Sequence, residues 1–157
     1  MKKILGIMLI GLFLVYGNAF GAAGTCTDNF ANGTYPSQNN GKSFQVIFTW
    51  VGSTDDGTVA ATASSGPLNA YITKVVTNPS SSCTDDYDIT LTDSDGQDVM
   101  GGKLGDRDTT TTEEARAYNA ASGTYGDTFV KGTITLTISN NTDTSSGGTV
   151  TIYCERP

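Results

Sequence analysis

Phe44, Val46, Phe48 and Trp50 alternate with Gln45, Ile47, Thr49 and Val51. That period of two is incompatible with a helix and specifies an extended strand with an aromatic face turned to a core. The same alternation returns at Tyr87, Ile89 and Leu91, at Ile134, Leu136 and Ile138, and at Val150, Ile152 and Cys154. Threonine fills most positions between the apolar ones. Its β-branched side chain is stiff at χ1 and suits a pleated surface that meets water. No segment sustains a 3.6-residue period over three turns.

Turn signals cut the chain into short pieces. The segment 52–57, Gly-Ser-Thr-Asp-Asp-Gly, closes the first strand, and a weaker strand is expected over 58–63. A further strand over 68–77 ends at Asn78-Pro79. Residues 86–100 read as a hairpin turning at Ser94-Asp95-Gly96, and 132–140 with 149–154 read as a second hairpin with a longer polar loop. The stretch 113–121 is open between a short helix capped by Thr112 and a short edge strand. Together these predict an all-β fold, an antiparallel β-sandwich of about seven strands, with a closed β-barrel as the alternative.

The first 24 residues are an address. Lys2 and Lys3 precede an apolar run over 4–16, and small residues follow from Gly17 to Ala23. A run of about 13 residues is short of the roughly 20 that span a bilayer, so the pattern predicts a secretory signal peptide. Its cleavage is open among Ala19, Gly21, Ala22 and Ala23. The expected organisation is a signal peptide over 1–21, an N-terminal extension over 22–42 and a β-sandwich domain over 43–157. The product is expected to be secreted or periplasmic, with no membrane association once the leader is removed.

The net charge is −7, and seven basic against sixteen acidic residues remain beyond residue 21. An acidic balance argues against nucleic acid, whose phosphates demand clustered Lys and Arg. The sequence contains no histidine. The commonest general base and the commonest metal ligand are thereby missing. No Walker-type loop, G-x-S-x-G or S-x-x-K motif is present. The expectation is a non-enzyme with no cofactor.

Three cysteines follow the leader, so export permits at most one intramolecular disulfide. Cys26–Cys154 is the expected pair, with Cys83 as the alternative partner. If the 87–92 strand shares a sheet with the last hairpin, Cys83 and Cys154 fall at opposite ends of the sandwich. That exceeds the roughly 6 Å that bridged Cα atoms tolerate.

Asp85, Asp86 and Asp88, then Asp93, Asp95 and Asp98, then Asp106 and Asp108 crowd the middle of the chain. Asp93-Ser94-Asp95-Gly96 resembles part of a calcium loop, which makes Asp93, Asp95 and Asp98 weak calcium candidates. Aligning Gly96 to the loop glycine leaves Leu91 and Gly102 at ligand positions, so a solvated turn is the favoured reading. A glycosidase-like carboxylate pair ranks lower, since nothing in the spacing builds a cleft. Tyr35, Tyr71, Tyr118, Tyr125 and Tyr153 are candidate ligand-facing aromatics, with core or rim packing as the rival reading for each. Trp50 is expected in the core.

The stretch TDDYDITLTDSDGQDVMGG, followed by Arg107-Asp108-Thr109, Thr112-Glu113-Glu114 and Gly132-Thr133-Ile134-Thr135-Leu136, resembles small β-rich structural or accessory proteins encoded by tailed phages and prophages. The similarity covers roughly residues 44–153. It implies a structural role and carries over no catalytic residues. The leader, the added segment through Asn40 and the two outer cysteines depart from that pattern and suggest an exported relative. The leading expectation is therefore an exported structural or interaction module that self-associates or binds an assembly partner. A carbohydrate-binding module is the second reading and an acidic-residue hydrolase the third.

Overall fold

The computed structural model describes residues 22–38, 41–80, 83–119, 121–144 and 146–157. The expected signal peptide lies outside the described residues. Two antiparallel sheets and a small hairpin account for every strand among them. The large sheet runs in the order β1 (Thr25–Asp28), β3 (Ser43–Val51), β12 (Gly147–Glu155), β5 (Ala70–Pro79) and β10 (Thr128–Val130). Beside β1, β2 (Ser37–Gln38) also pairs with β3, and beside β10, β7 (Glu113–Ala115) also pairs with β5. The small sheet is β4 (Thr62–Ala63), β11 (Thr135–Ser139) and β6 (Asp88–Thr92). A two-stranded hairpin joins β8 (Tyr118–Asn119) to β9 (Thr124–Tyr125). The fold is the all-β antiparallel sandwich that the alternation predicts.

One apolar core lies between the sheets. Phe44, Val46, Phe48 and Trp50 enter it from β3, and Val150, Ile152 and Cys154 from β12. Ile89 and Leu91 from β6 and Leu136 and Ile138 from β11 meet them from the small sheet. Trp50 is 1% exposed, with its ring centroid 5.7 Å from that of Tyr87. The threonines between these positions turn outward and pair across strands, as Thr135 with Thr92 and Thr137 with Thr90.

Several expected connections differ. The segments 132–140 and 149–154 do not form a hairpin. β11 sits in the small sheet, and the chain crosses through the 140–146 loop so that β12 inserts between β3 and β5. A hairpin and a crossing between sheets put the same alternation in sequence, so periodicity does not separate them. Insertion demands close approach at the start of β12. A Cβ on Gly148 would sit 2.7 Å from the Asn78 carbonyl oxygen and 3.2 Å from the Trp50 indole nitrogen.

Segment 58–63 contributes only Thr62–Ala63 to a sheet. The strand expected over 68–77 runs on through Pro79, which lies opposite Gly148. In the 86–100 hairpin the second arm shrinks to a bridge between Thr92 and Asp98. In the ambiguous 113–121 stretch, Glu113–Ala115 form an edge strand, because β5 has an unpaired edge that β7 completes.

Residues 22–38, expected as an extension, belong to the large sheet and its core. β1 and β2 both pair with β3, and Tyr35 joins the core. Asp28 ties this segment down. Its carboxylate accepts hydrogen bonds from the Tyr35 hydroxyl (2.8 Å), the Ser65 N–H (2.6 Å) and hydroxyl (2.8 Å), and the Phe30 N–H (3.3 Å).

Candidate functional site: the aromatic edge

The chain leaves the regular sheets twice near one edge. Between β6 and β7 it makes consecutive turns held by acidic side chains. Asp93 Oδ1 accepts the N–H groups of Asp95 (3.0 Å) and Gln97 (2.9 Å). Asp98 accepts those of Met100 (3.0 Å) and Gly102 (2.6 Å), one on each oxygen. Such side-chain bonds stand in for backbone pairs where the chain bends too sharply to pair with itself.

Asp93, Asp95 and Asp98 are thus arranged as turn residues. Among the described residues no three histidine, cysteine or acidic side chains converge to hold an ion. Asp88 and Asp108 follow the same rule. Asp88 accepts from the Asp106 N–H, and Asp108 from the N–H groups of Thr110 and Thr111. Those bonds hold the Asp108 carboxyl below the usual carboxylate range. Asp85 and Asp86 are exposed.

The second departure is the excursion from β7 through the β8–β9 hairpin to β10. Asn119 Oδ1 caps its tip by accepting from Ala121 (3.0 Å) and Ser122 (3.1 Å) N–H groups. The hairpin is seated on the first set of turns. The Tyr118 N–H donates to the Met100 carbonyl. Gly101 sits at φ 59° beneath it, and a Cβ there would fall 2.0 Å from the Tyr118 carbonyl oxygen. Only glycine satisfies both the backbone angle and the contact.

Aromatic side chains gather along this edge. Tyr118 and Tyr125 face each other across the hairpin, centroids 5.0 Å apart and planes at 54°. The Lys103 ammonium lies 4.5 Å from the Tyr118 centroid and 5.6 Å from that of Tyr125, within cation–π range of both. Tyr71 and Phe129, register partners on β5 and β10, make an edge-on pair at 5.1 Å. Tyr71 is 41%, Phe129 46% and Tyr125 62% exposed. Tyr153, half-buried on β12, lies under the Lys74 ammonium, which also pairs with Glu114 at 2.7 Å.

Two concavities flank the Tyr118–Tyr125 pair. One, of about 310 Å³, is lined by Asp93, Gln97, Asp98, Tyr118, Asn119 and Thr128, with Val99 and Gly101. The other, of about 290 Å³, is lined by Lys103, Glu114, Ala115, Arg116 and Tyr125. A third hollow shares Asp93 with the first and ends at Phe129 and Lys131.

Of the five tyrosines singled out in the sequence, Tyr71, Tyr118, Tyr125 and Tyr153 reach this edge or the sheet face beside it. They form no flat platform, since even the hairpin pair is tilted. Tyr35 is a correction. It is 3% exposed, stacked on Phe44 and edge-on to Phe30, and burial pushes its hydroxyl up to about 12. Phe129, Gln97, Asn119 and Lys103 were not singled out. The pattern Thr128-Phe129-Val130, with Val130 buried, is the signal that turns Phe129 outward.

The cysteines also need correcting. Cys26, Cys83 and Cys154 are all unpaired in this structure. Cys26 lies opposite Trp50 and Cys154 opposite Phe44, at the two ends of β3. Six residues of strand separate these positions, about 20 Å at the usual rise. Cys83 donates to the Gly147 carbonyl at the Trp50 end, so it too is remote from Cys154. Burial pushes the Cys154 thiol up to about 12 and also raises those of Cys26 and Cys83. Protonated, enclosed thiols are inert.

No family model, no curated protein and no solved structure matches this chain.

Proposed function

We propose that the chain is an exported, non-catalytic interaction module of structural type, and that it meets its partner through the aromatic edge formed by β5, β9 and β10. The observation that carries this reading is the Tyr71–Phe129 pair. Two large rings lie side by side in solvent, while Phe44, Phe48 and Trp50 of the same sheet are buried. Aromatic side chains are enriched at interface centres and supply most of the energy when a partner covers them. The leader over 1–21 supports export. The resemblance to phage and prophage structural proteins supports assembly in place of turnover.

The test is light scattering of the chain beginning at residue 22 over a wide concentration range, with Tyr71→Ala/Phe129→Ala beside it. The expected result is reversible self-association that the double variant abolishes while remaining folded. A wild-type chain that stays monomeric throughout, or association that the double variant retains, overturns this use of the edge. A measured hydrolytic turnover overturns the non-catalytic reading. A carbohydrate partner is the second reading, favoured by the polar cleft beside Tyr118.

A further inference from the structure

We propose that the cleft between the turn after β6 and the base of the β8–β9 hairpin binds a neutral pyranose ring of a glycan. This rests on the chain being a binding module and names a ligand class for one part of the edge. The argument is one of elimination followed by fit.

The cleft offers little to a cation. Asp98 has each oxygen engaged by a backbone N–H, and Asp93 has one oxygen engaged twice. Nor does it suit an anion, because Asp93 and Asp98 place negative charge in its wall. An apolar ligand would strand polar groups, which is costly on burial. An uncharged, polyhydroxylated ligand meets none of these objections.

The fit comes from atoms that are held in place and still unused. Asp93 is fixed through Oδ1, and its Oδ2 accepts no hydrogen bond from the described residues. Asn119 is fixed through Oδ1 and presents its Nδ2 donors. The Gln97 amide and the Tyr118 hydroxyl carry both donor and acceptor capacity and also line the wall or its rim. Neighbouring sugar hydroxyls require this mixture, since each donates once and accepts twice. Anchoring one end of a side chain lowers the ordering cost of binding with the other end. The Tyr118 ring is held by Lys103 and Tyr125, which line the separate hollow and not this cleft. It therefore stands as a fixed aromatic wall. A volume of about 310 Å³ lies at the small end of ligand sites, suited to one ring with the glycan continuing toward Phe129.

The experiment screens the residue-22 chain on an array of neutral oligosaccharides built from glucose, galactose, mannose and N-acetylhexosamine units. Any hit is then titrated calorimetrically. Affinity for a single ring is expected on the order of millimolar, given the small energy available per ligand atom. Gln97→Ala and Tyr118→Phe remove exposed or rim groups without opening the core, and each is expected to weaken binding about tenfold with unchanged melting temperature. Val51→Thr, at an exposed position of β3 outside the cleft, is expected to leave sugar affinity unchanged. Hits unaffected by the Gln97 and Tyr118 variants overturn the location. An array without hits, or calcium chloride giving a binding heat that Asp93→Asn removes, overturns the ligand class. If the array is empty while Tyr71-dependent association persists, this inference falls and the interaction-module reading stands. If both fail, the reading beneath it falls as well.

Discussion

The ladder formed by β3, β12 and β5 and the stretch from Asp93 to Val130 solve the same physical problem in opposite ways. In the ladder, nine residue pairs run without interruption from Gly147–Val51 to Glu155–Ser43. Backbone groups satisfy one another, and one face of the side chains is left apolar for the core. In the second stretch no strand exceeds three residues. There Asp93, Asp98, Asp108 and Asn119 capture the backbone N–H groups that strands would have paired. The chain's abundant carboxylates are therefore largely architectural. Tyr125 and Phe129 of the irregular stretch stand in solvent, and Tyr71 joins them from the end of β5 that β10 pairs. Irregular backbone at the margin of a rigid ladder is the natural place for binding.

If this contrast is real, the two regions must differ in what truncation costs. Trp50→Ala is expected to lose about 3–5 kcal/mol of stability, by loss of a buried aromatic and the cavity left behind. Tyr125→Ala, at 62% exposure, is expected to lose under about 0.5 kcal/mol. Urea denaturation midpoints compare them, and equal losses would erase the distinction.

A smaller effect tests how the first strand is attached to the ladder. Burial pushes the Asp28 carboxyl up, but the Ser65 N–H, the Tyr35 and Ser65 hydroxyls and the Phe30 N–H together hold it below the usual range. A carboxyl lowered in the fold contributes stability above its unfolded pKa, about 3.9, and loses it as pH falls through the folded value. Asp28→Asn is expected to cost roughly 1.5–3 kcal/mol near neutrality, the range for hydrogen bonds to a charged group. The deficit is expected to shrink below about pH 4. Stability measured across the acid range checks this, and a deficit constant with pH would remove the carboxylate from the argument.

The smallest effect lies within the ladder itself. Thr77 is 1% exposed on β5, and its hydroxyl has no hydrogen-bond partner among the described residues. Thr77→Val keeps the shape and removes the stranded group. A gain of up to about 1 kcal/mol is expected in the same denaturation assay. A loss would mean that the hydroxyl is satisfied in solution.

Much of this architecture was legible residue by residue. Ser43–Val51 shows its bounds because its alternation is clean and a glycine turn follows it. Trp50 was placed in the core by the face it shares with Phe44, Val46 and Phe48. The turn role of Asp93, Asp95 and Asp98 was readable from failed calcium spacing. The position of β12 was not readable, because a neighbour in the same sheet and a neighbour across the core impose the same period of two. The Cys26–Cys154 pairing failed for a different cause, since Cys26 is held in β1 opposite Trp50 and cannot reach the Phe44 end of β3. The cleft beside Tyr118 had no linear signal, because Asp93 and Asn119 meet only when the β8–β9 hairpin settles on Met100 and Gly101.

By itself, the sequence determined which segments are extended, which of their faces is apolar and where the chain turns, for these follow from the chemistry of residues one or two positions apart. Tertiary structure alone decided that the last strand lies between β3 and β5, that Tyr35 is enclosed while Tyr71 and Phe129 are not, and that Cys26 and Cys154 lie at opposite ends of β3. Those outcomes depend on pairing between segments far apart in the chain, where side-chain volume and backbone hydrogen bonding choose among arrangements that local alternation leaves equal.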